Sequence, residues 1–252
     1  MISCHNLTRR FGVFTAVDEI SFELPTGSIC AFMGPNGAGK STTVNMLTGL
    51  LPPSSGDATV AGLSITSGGL ELKRKIGVLP ANLGLFDDLT VEEHLFLTGD
   101  VYGLSRTDTE ARATQLLRVL DLEHGRNIFA SRCSSGMRKK TALAMALIYN
   151  PPVLFLDEPF EAIDPMTSRT ISELLVMLAS RGTTVFLTSH ILSTIERMAT
   201  HFMVIRGGRI VWSSTAAERT RPLEDIYFEL IGYPALENVE WLGSAASGSL
   251  SK

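Results

Sequence analysis

Three things are scarce in this 252-residue sequence: cysteine, concentrated basic charge and long apolar runs. The three cysteines, Cys4, Cys30 and Cys133, lie far apart and share no metal-ligand spacing, which predicts reduced thiols in a cytosolic protein and argues against disulfides and a structural zinc. The formal net charge is −4, so no nucleic acid is expected as a partner. The densest basic run, Arg138-Lys139-Lys140, is typical of a solvated helix start.

The apolar runs are too short to span a membrane. The longest, from Ala142 to Leu156, is interrupted by Asn150-Pro151-Pro152, and none reaches the ~20 residues that a membrane-spanning helix needs. The first residues show no basic region followed by a long apolar stretch, so we expect no secretory signal. If the protein works at a membrane, another chain is expected to supply the span. With 44% apolar residues, the chain can bury one large core or a core plus a subdomain.

The most informative segment present is Gly34-Pro35-Asn36-Gly37-Ala38-Gly39-Lys40-Ser41-Thr42, which matches a phosphate-binding loop. It lies between a strand-like segment, 29–33, and a helix-like segment, 43–47. The glycines let backbone N–H groups turn toward phosphate oxygens, and the following helix presents its positive dipole end to the same anion. Lys40 is expected to reach the β- and γ-phosphates and Ser41 to ligate Mg²⁺. The alternative is a flexible connector. The expected nucleotide contacts are Gly34, Asn36, Gly37, Ala38, Gly39, Lys40, Ser41 and Thr42.

Polar side chains at the ends of two apolar strands supply the remaining groups of an ATPase site. After 153–156, Asp157 is expected to hold Mg²⁺ through its water shell, and Glu158 to polarise the attacking water. After 183–188, His190 is expected to sense the γ-phosphate. The alternatives are a solvated Asp-Glu pair at a strand end and a structural histidine, which is the commoner role of a lone histidine.

The residue pattern predicts alternating strands and helices in the second half of the chain. Because strands that alternate with helices form parallel sheets, we expect a largely parallel sheet covered on both faces. Asp164 before Pro165 predicts a helix cap, and Gly207-Gly208 a hairpin. The final stretch, 243–252, is small and polar and is expected to be disordered. Strands are predicted at 1–7, 20–24, 29–33, 58–65, 76–79, 153–156, 183–188, 202–205 and 209–212, helices at 43–47, 165–180 and 191–198, and a mostly helical stretch at 90–150.

Five segments, taken in this order, resemble the ATP-binding subunit of ABC transporters. The resemblance covers about residues 2–232. The segment Cys133-Ser134-Ser135-Gly136-Met137 is similar to the signature of that family, L-S-G-G-Q, with Ser134 and Gly136 retained. Judged from its residues alone, it would be no more than a helix cap. The five segments are 34–42, 133–137, 156–159, 163–165 and 188–190.

The resemblance implies an α/β fold with a P-loop NTPase core and its parallel sheet, an N-terminal antiparallel β part and an inserted helical subdomain at about 87–150. The ATP-binding domain would be 1–232 and the C-terminal tail 233–252. It also implies that two subunits sandwich two ATP molecules, each bound by the phosphate loop of one subunit and the signature of the other.

In that arrangement one chain holds half of each working site. Ser134, Gly136 and Met137 would contact the ATP of the partner subunit. Asp164 would lie in the segment that communicates across the dimer. Phe11 would stack on adenine, although an aromatic residue in an N-terminal strand is more often part of the core.

Two positions depart from the family pattern. Where the family has Gln or Glu after a segment like 78–80, this chain has Ala81, whose methyl group cannot ligate Mg²⁺ or position water. Asn82 is a candidate substitute, but a shift by one residue changes the direction of the side chain. Ser135 replaces the first signature glycine and adds a side chain near the expected γ-phosphate contact. Both departures favour slower turnover or dependence on a partner.

Within the family, segments 76–80, 89–95 and 223–230 are similar to those of single-domain subunits that serve multidrug, antibiotic and lipid-type exporters of the ABC-2 type. We therefore expect a peripheral ATPase subunit at the cytoplasmic face of the cell membrane. MgATP would close a dimer with an identical or different ATP-binding subunit, and hydrolysis would reopen it. The motion would pass to a separate transmembrane permease subunit through residues near 81–88 and the helical subdomain.

Two other functions compete with this prediction. One is an ABC-type ATPase that acts on DNA or ribosomes, but such proteins usually need two cassettes, a long coiled coil or basic extensions, and this sequence has none of them. The other is a nucleotide-gated assembly subunit in which Ala81 and Ser135 have weakened hydrolysis. The presence of Glu158 and His190 argues against it.

Overall fold

The computed structural model describes residues 1–232, so the predicted polar tail at 243–252 lies outside the described residues. Ten strands and eight α-helices are described, with short 3-10 turns at Glu123–Gly125 and Ala130–Arg132. The strands are β1 Ile2–Phe11, β2 Phe14–Leu24, β3 Ile29–Met33, β4 Ser55–Val60, β5 Leu63–Ser64, β6 Ile76–Leu79, β7 Val153–Asp157, β8 Thr184–Thr188, β9 His201–Arg206 and β10 Arg209–Thr215. The helices are α1 Lys40–Leu47, α2 Gly69–Lys75, α3 Val91–Val101, α4 Arg106–Val119, α5 Ser135–Leu147, α6 Pro165–Ser180, α7 Leu192–Met198 and α8 Leu223–Ile231.

The larger sheet has six strands in the order β10-β9-β3-β8-β7-β6. Strands β9, β3, β8, β7 and β6 run parallel, and β10 is antiparallel to β9. Every residue of β3, β7 and β8 is buried, as is usual for strands covered on both faces. The hairpin between β9 and β10 turns at Gly207 and Gly208, which have φ angles of 57° and 81°. The predictions of a parallel sheet and of this hairpin are confirmed.

The smaller sheet is antiparallel, in the order β2-β1-β4-β5. The single strand predicted at 58–65 is wrong, because the chain turns at Ala61 and Gly62, with φ angles of 51° and 79°, and makes the hairpin β4-β5. Strand β1 also continues to Phe11, beyond its predicted end at residue 7. Irregular pairing between Cys4 and Leu7 breaks the alternation that marks a strand in sequence.

Two apolar layers hold the sheets and helices together. One layer lies between the larger sheet and helices α3–α7, and the other lies between the two sheets and around α1. In the second layer, Phe186 of β8 is central, with ring centroids at 5.2 Å from Phe32, 5.7 Å from Phe155 and 6.0 Å from Phe22. These aromatic rings fix the distance between the sheets behind the strands that end at the site.

Helices α3, α4 and α5 pack against one another and occupy most of the predicted helical stretch. Helix α3 begins with a capping box, in which Thr90 and Glu93 each accept a hydrogen bond from the backbone N–H of the other. Helix α2 was not predicted. Its seven residues are too few to show a clear period in sequence. Within residues 1–232, no helix is long and apolar enough to cross a membrane.

We expect Phe186→Ala to lower the free energy of unfolding by about 3–5 kcal/mol, because it removes a buried ring that three other rings contact. The matched control is Phe14→Ala, since the side chain of Phe14 is 60% exposed and its loss leaves no cavity. Urea denaturation of both variants measures the difference. Equal losses would show that the aromatic cluster does not hold the two sheets together.

Candidate functional site

The predicted phosphate loop connects β3 to α1, and two of its glycines have no room for a side chain. A Cβ atom on Gly34 would lie 2.3 Å from the carbonyl oxygen of Ile205, and one on Gly39 would lie 2.5 Å from that of Ala16. Gly37 and Gly39 have φ angles of +77° and +109°, which glycine adopts without strain. The loop is therefore shaped by close backbone neighbours in both sheets.

Lys40 and the start of α1 face the interior of this loop. The Lys40 Nζ donates hydrogen bonds to the carbonyl oxygens of Gly34 at 2.7 Å and Pro35 at 3.2 Å. The first turn of α1 holds no acidic residue, so its positive dipole end is not neutralised by its own side chains. Asn36 and Gly37 are exposed at the rim, whereas Ala38 is buried and its carbonyl accepts from the N–H of Gly208 at 3.1 Å.

Asp157, at the end of β7, joins the loop to the neighbouring strands. Its Oδ2 accepts a hydrogen bond from the Ser41 hydroxyl at 2.9 Å, and its Oδ1 accepts one from the Thr188 hydroxyl. The carboxylate is buried, so both bonds offset the cost of removing it from water. A serine hydroxyl beside a carboxylate oxygen is a pair of hard oxygen donors, which fits Mg²⁺.

Glu158 and His190 form a second pair at the same edge of the sheet. The Glu158 Oε2 accepts hydrogen bonds from the His190 backbone N–H at 3.2 Å and from its Nδ1 at 2.9 Å. The Glu158 N–H in turn donates to the Thr188 hydroxyl at 3.0 Å. The glutamate is partly buried, whereas the histidine faces solvent. This arrangement holds a carboxylate beside Asp157 at the edge of the sheet, in a position suited to a general base.

The order of the strands brings these groups together. Strands β3, β8 and β7 are adjacent and parallel, so the segments that follow them leave the sheet at one edge. Thr188 lies at the centre of this edge and contacts both Asp157 and Glu158. No role was predicted for Thr188 itself. The feature of the sequence that could have identified Thr188 is its position at the end of an apolar strand, two residues before His190.

The signature segment lies at the start of α5. Ser134 caps the helix, with its Oγ accepting from the Met137 N–H at 3.2 Å, and Ser134 and Ser135 are exposed. A Cβ on Gly136 would lie 2.8 Å from the carbonyl oxygen of Ala162. The terminal methyl group of Met137 packs against Gly125, where a Cβ atom added to the glycine would lie 2.3 Å from it. The Met137 side chain is therefore partly buried at the start of the helix.

Asp164 caps α6 as predicted, and Pro165 is the first residue of that helix. The Asp164 Oδ1 accepts from the Thr167 N–H at 2.9 Å, and the hydrogen bonds of Thr167 lower the pKa of Asp164. Asp164 is exposed, so its remaining oxygen faces solvent. This side chain stays ionised to a lower pH than an ordinary aspartate.

Phe11 lies at the tip of the β1-β2 hairpin and is not part of the core. Its side chain is 47% exposed, and the Arg9 guanidinium lies 4.6 Å from the centre of its ring. A half-exposed ring has a face available for stacking. Ala81 and Asn82 are also exposed, just after β6. Within residues 1–232, we find no hydrogen bond from Phe11, Ala81, Ser134 or Asp164 to the cluster of Ser41, Asp157, Glu158, Thr188 and His190.

Comparison with known sequences gives consistent results. Residues 17–161 match the family described as ABC transporter. The chain is 34% identical over 218 residues to the linearmycin resistance ATP-binding protein LnrL of Bacillus subtilis, covering 86% of this chain and 70% of the relative. It is 34% identical over 236 residues to the Nod factor export ATP-binding protein I of Rhizobium etli, covering 94% of this chain and 72% of the relative.

Solved structures share the fold over nearly their whole length. The ATP-binding subunit of an ABC transporter is matched with a TM-score of 0.85 and 30% identity, covering 91% of this chain and 99% of the other. A dimeric ATP-binding cassette in a post-hydrolysis state, bound to ADP and phosphate, is matched with a TM-score of 0.80 and 25% identity, covering 88% of this chain and all of the other.

We expect Thr188→Val, which preserves the shape of the side chain, to lower the ATP turnover rate by about tenfold, because buried Asp157 and the Glu158 N–H lose a hydrogen-bond partner. Steady-state phosphate release measures the effect. Thr184→Val, at the other end of the same buried strand, is the matched control. A turnover rate in Thr188→Val that equals that of the control would contradict a role for Thr188 at the site.

Proposed function

Since this chain belongs to the ATP-binding protein family of ABC transporters, we propose that it is the ATPase subunit of an exporter, in which it drives a separate transmembrane chain. The observation that carries the proposal is the hydrogen-bonded series from Ser41 through Asp157 and Thr188 to Glu158 and His190. It joins a phosphate loop to a carboxylate pair and a histidine, which are the groups that ATP hydrolysis requires.

In our proposal, Lys40 and the loop N–H groups stabilise the charge of the β- and γ-phosphates. The other loop residues surround the phosphates with backbone and side-chain donors; they are Gly34, Asn36, Gly37, Ala38, Gly39 and Thr42. Glu158 accepts a proton from the attacking water, and its two bonds to His190 keep the carboxylate pointed into the site. Ser41 and Asp157 would hold Mg²⁺, which, when bound, neutralises phosphate charge.

The exposed parts of the signature suit contact with a second ATP-binding subunit. Ser134 and Ser135 face solvent at the positive end of α5, and the exposed Asp164 caps α6 two residues after Ala162, whose carbonyl oxygen packs against Gly136. We infer that Ser134, Gly136, Met137 and Asp164 complete the partner's site, and that Phe11 stacks on adenine in its own site. The solved dimeric cassette supports this arrangement.

The names of the relatives support export as the direction of transport. They include proteins of linearmycin resistance and of Nod factor export, together with a probable multidrug ABC transporter protein of Escherichia coli that is 33% identical over 215 residues and of which this chain covers 37%. We propose one ATP-binding domain over residues 1–232, with α3–α5 as its helical subdomain, bound at the cytoplasmic face of the membrane.

An apolar groove of about 380 Å³ is our candidate surface for the transmembrane chain. It lies between β6 and helices α3 and α5, and the predicted coupling segment 81–88 begins beside it, just after Pro80. His94 fixes this segment to α3, because its Nε2 accepts from the Phe86 N–H at 2.9 Å. Leu97 and Val101 line the groove with exposed side chains. The occupant we propose is a cytosolic segment of the permease with an apolar face.

We expect phosphate release from MgATP to rise more steeply than linearly with protein concentration, since each working site needs two subunits. Glu158→Gln should lower the turnover rate by at least about a hundredfold while ATP binding persists, because the amide cannot accept the proton. Steady-state assays over a range of protein concentrations test this. Glu173→Gln is the matched control, because Glu173 lies on α6, its side chain is 68% exposed and its ion pair is with Arg169 on the same helix.

Tight ATP binding without turnover would instead support the nucleotide-gated assembly subunit. Ala81→Gln then separates two causes. If this variant gains turnover, the absence of a glutamine at position 81 is what limits the turnover rate of the unmodified chain. If it stays inactive, a different partner subunit is required. Co-purification of nucleic acid would favour an ABC-type ATPase acting on DNA or ribosomes.

We expect Leu97→Asp to reduce binding to inside-out membrane vesicles from the protein's own cells by at least about tenfold, because a charge in an apolar contact is costly. The turnover rate of the isolated chain should not change. Val176→Asp on α6, at a similarly exposed position, is the control. Equal binding of Leu97→Asp and the control in a sedimentation assay would exclude the groove as the docking surface.

A further inference from the structure

Lys139, in the helix that follows the signature, reaches the backbone of Glu158. Its Nζ donates a hydrogen bond to the Glu158 carbonyl oxygen at 2.8 Å and forms an ion pair with the Glu161 carboxylate at 3.2 Å. Only 12% of the Lys139 side chain is exposed. The prediction that Arg138-Lys139-Lys140 is a solvated helix start is therefore wrong, because Lys139 and Lys140 both donate to backbone carbonyls in other segments.

The backbone that Lys139 contacts has an unusual conformation. Glu158 has a φ angle of +49°, in the left-handed region that residues with a side chain rarely adopt. Such a conformation persists only where neighbouring groups hold it. At Glu158 the N–H donates to Thr188, and the carbonyl oxygen accepts from both Lys139 and the N–H of Glu161. Lys139 supplies the one charged donor of the three, and charged donors make the stronger hydrogen bonds.

The same turn also touches the signature. Ala162, with a φ angle of +60°, places its carbonyl oxygen 2.8 Å from where a Cβ on Gly136 would lie. Segment 158–162 is thus packed against the first turns of α5 at two points, Gly136 and Lys139. Lys139 is the fifth residue of α5, just beyond the first turn, and its largely buried charge is compensated by the Glu158 carbonyl and the Glu161 carboxylate.

We propose that Lys139 is a positioning residue for ATP hydrolysis. By holding the Glu158 backbone in its left-handed turn, it keeps the Glu158 carboxylate at its hydrogen bonds with His190. Its Nζ contacts the Glu158 carbonyl and the Glu161 carboxylate, so it acts through Glu158. This inference rests on the proposed role of Glu158 as the general base. It further makes the signature helix a support for the catalytic carboxylate of its own chain.

Lys139→Met tests the inference, because it keeps the aliphatic stem and removes the donor. We expect the turnover rate to fall by about tenfold, the effect of losing one charged hydrogen bond. The KM for ATP should stay within about twofold, because the phosphate loop is untouched. Lys139→Arg keeps a charged donor for the Glu158 carbonyl and the Glu161 carboxylate, so its turnover rate should stay within about threefold of that of the unmodified chain.

Lys140→Met is the matched control, since Lys140 is the next residue of the same helix and its side chain, 8% exposed, donates to the Asp121 carbonyl instead. It should lower the melting temperature without lowering turnover by more than about twofold. Equal turnover losses in the two variants, or no rescue by arginine, would overturn the inference. If Lys139→Met does not fold, Lys139→Leu, which also lacks a donor, replaces it with the same expected loss and the same rescue.

Glu158→Gln separates this inference from the proposed function. If Glu158→Gln abolishes turnover and Lys139→Met leaves it unchanged, only the role of Lys139 is overturned. If Glu158→Gln retains full turnover, Glu158 is not the base, and the proposed function fails at that residue.

Discussion

The hydrogen bond from Ser41 to Asp157 joins two residues that are 116 positions apart in the chain, and the rest of the site is arranged around it. Ser41 is held by the phosphate loop, whose glycines are pressed against Ala16 and Ile205. Asp157 is held by β7, a strand that is buried throughout. A buried carboxylate is stable only with hydrogen-bond donors around it, and the donors here come from the start of α1 and the end of β8. The packing of the sheet therefore also fixes the hydrogen-bond donors on which the buried Asp157 carboxylate depends.

The polar groups at the edge of the larger sheet are hydrogen-bonded to one another, whereas those at the starts of α5 and α6 are exposed to solvent. The loop, the carboxylate pair and His190 are bonded to one another, whereas the signature and Asp164 face solvent at the starts of α5 and α6. Lys139 and Gly136 connect these two groups, since both contact segment 158–162. A change at the signature surface therefore has a short physical route to Glu158.

Local pattern predicted the elements best where a strand was fully apolar. The bounds of β3, β6 and α6 match the predicted ones, because five apolar residues before a glycine loop, or a cap with a proline, leave few alternatives. Prediction failed at β1, where bulges break the alternation, and at the β4-β5 hairpin, where the chain turns at the left-handed Ala61 and Gly62. It also failed at Lys139, since a charged run gives no sign of distant carbonyl partners.

The sequence by itself determined that a phosphate loop, a carboxylate pair and a histidine each follow an apolar strand, because those features are local in the chain. Only the tertiary structure decided that these strands lie side by side, with β8 between β3 and β7, and that Thr188 lies between the two carboxylates. The tertiary structure likewise decided that Met137 packs against Gly125 and that Lys139 donates to the Glu158 carbonyl. The physical reason is that strand order and side-chain partners depend on contacts between residues far apart in sequence, which no local pattern encodes.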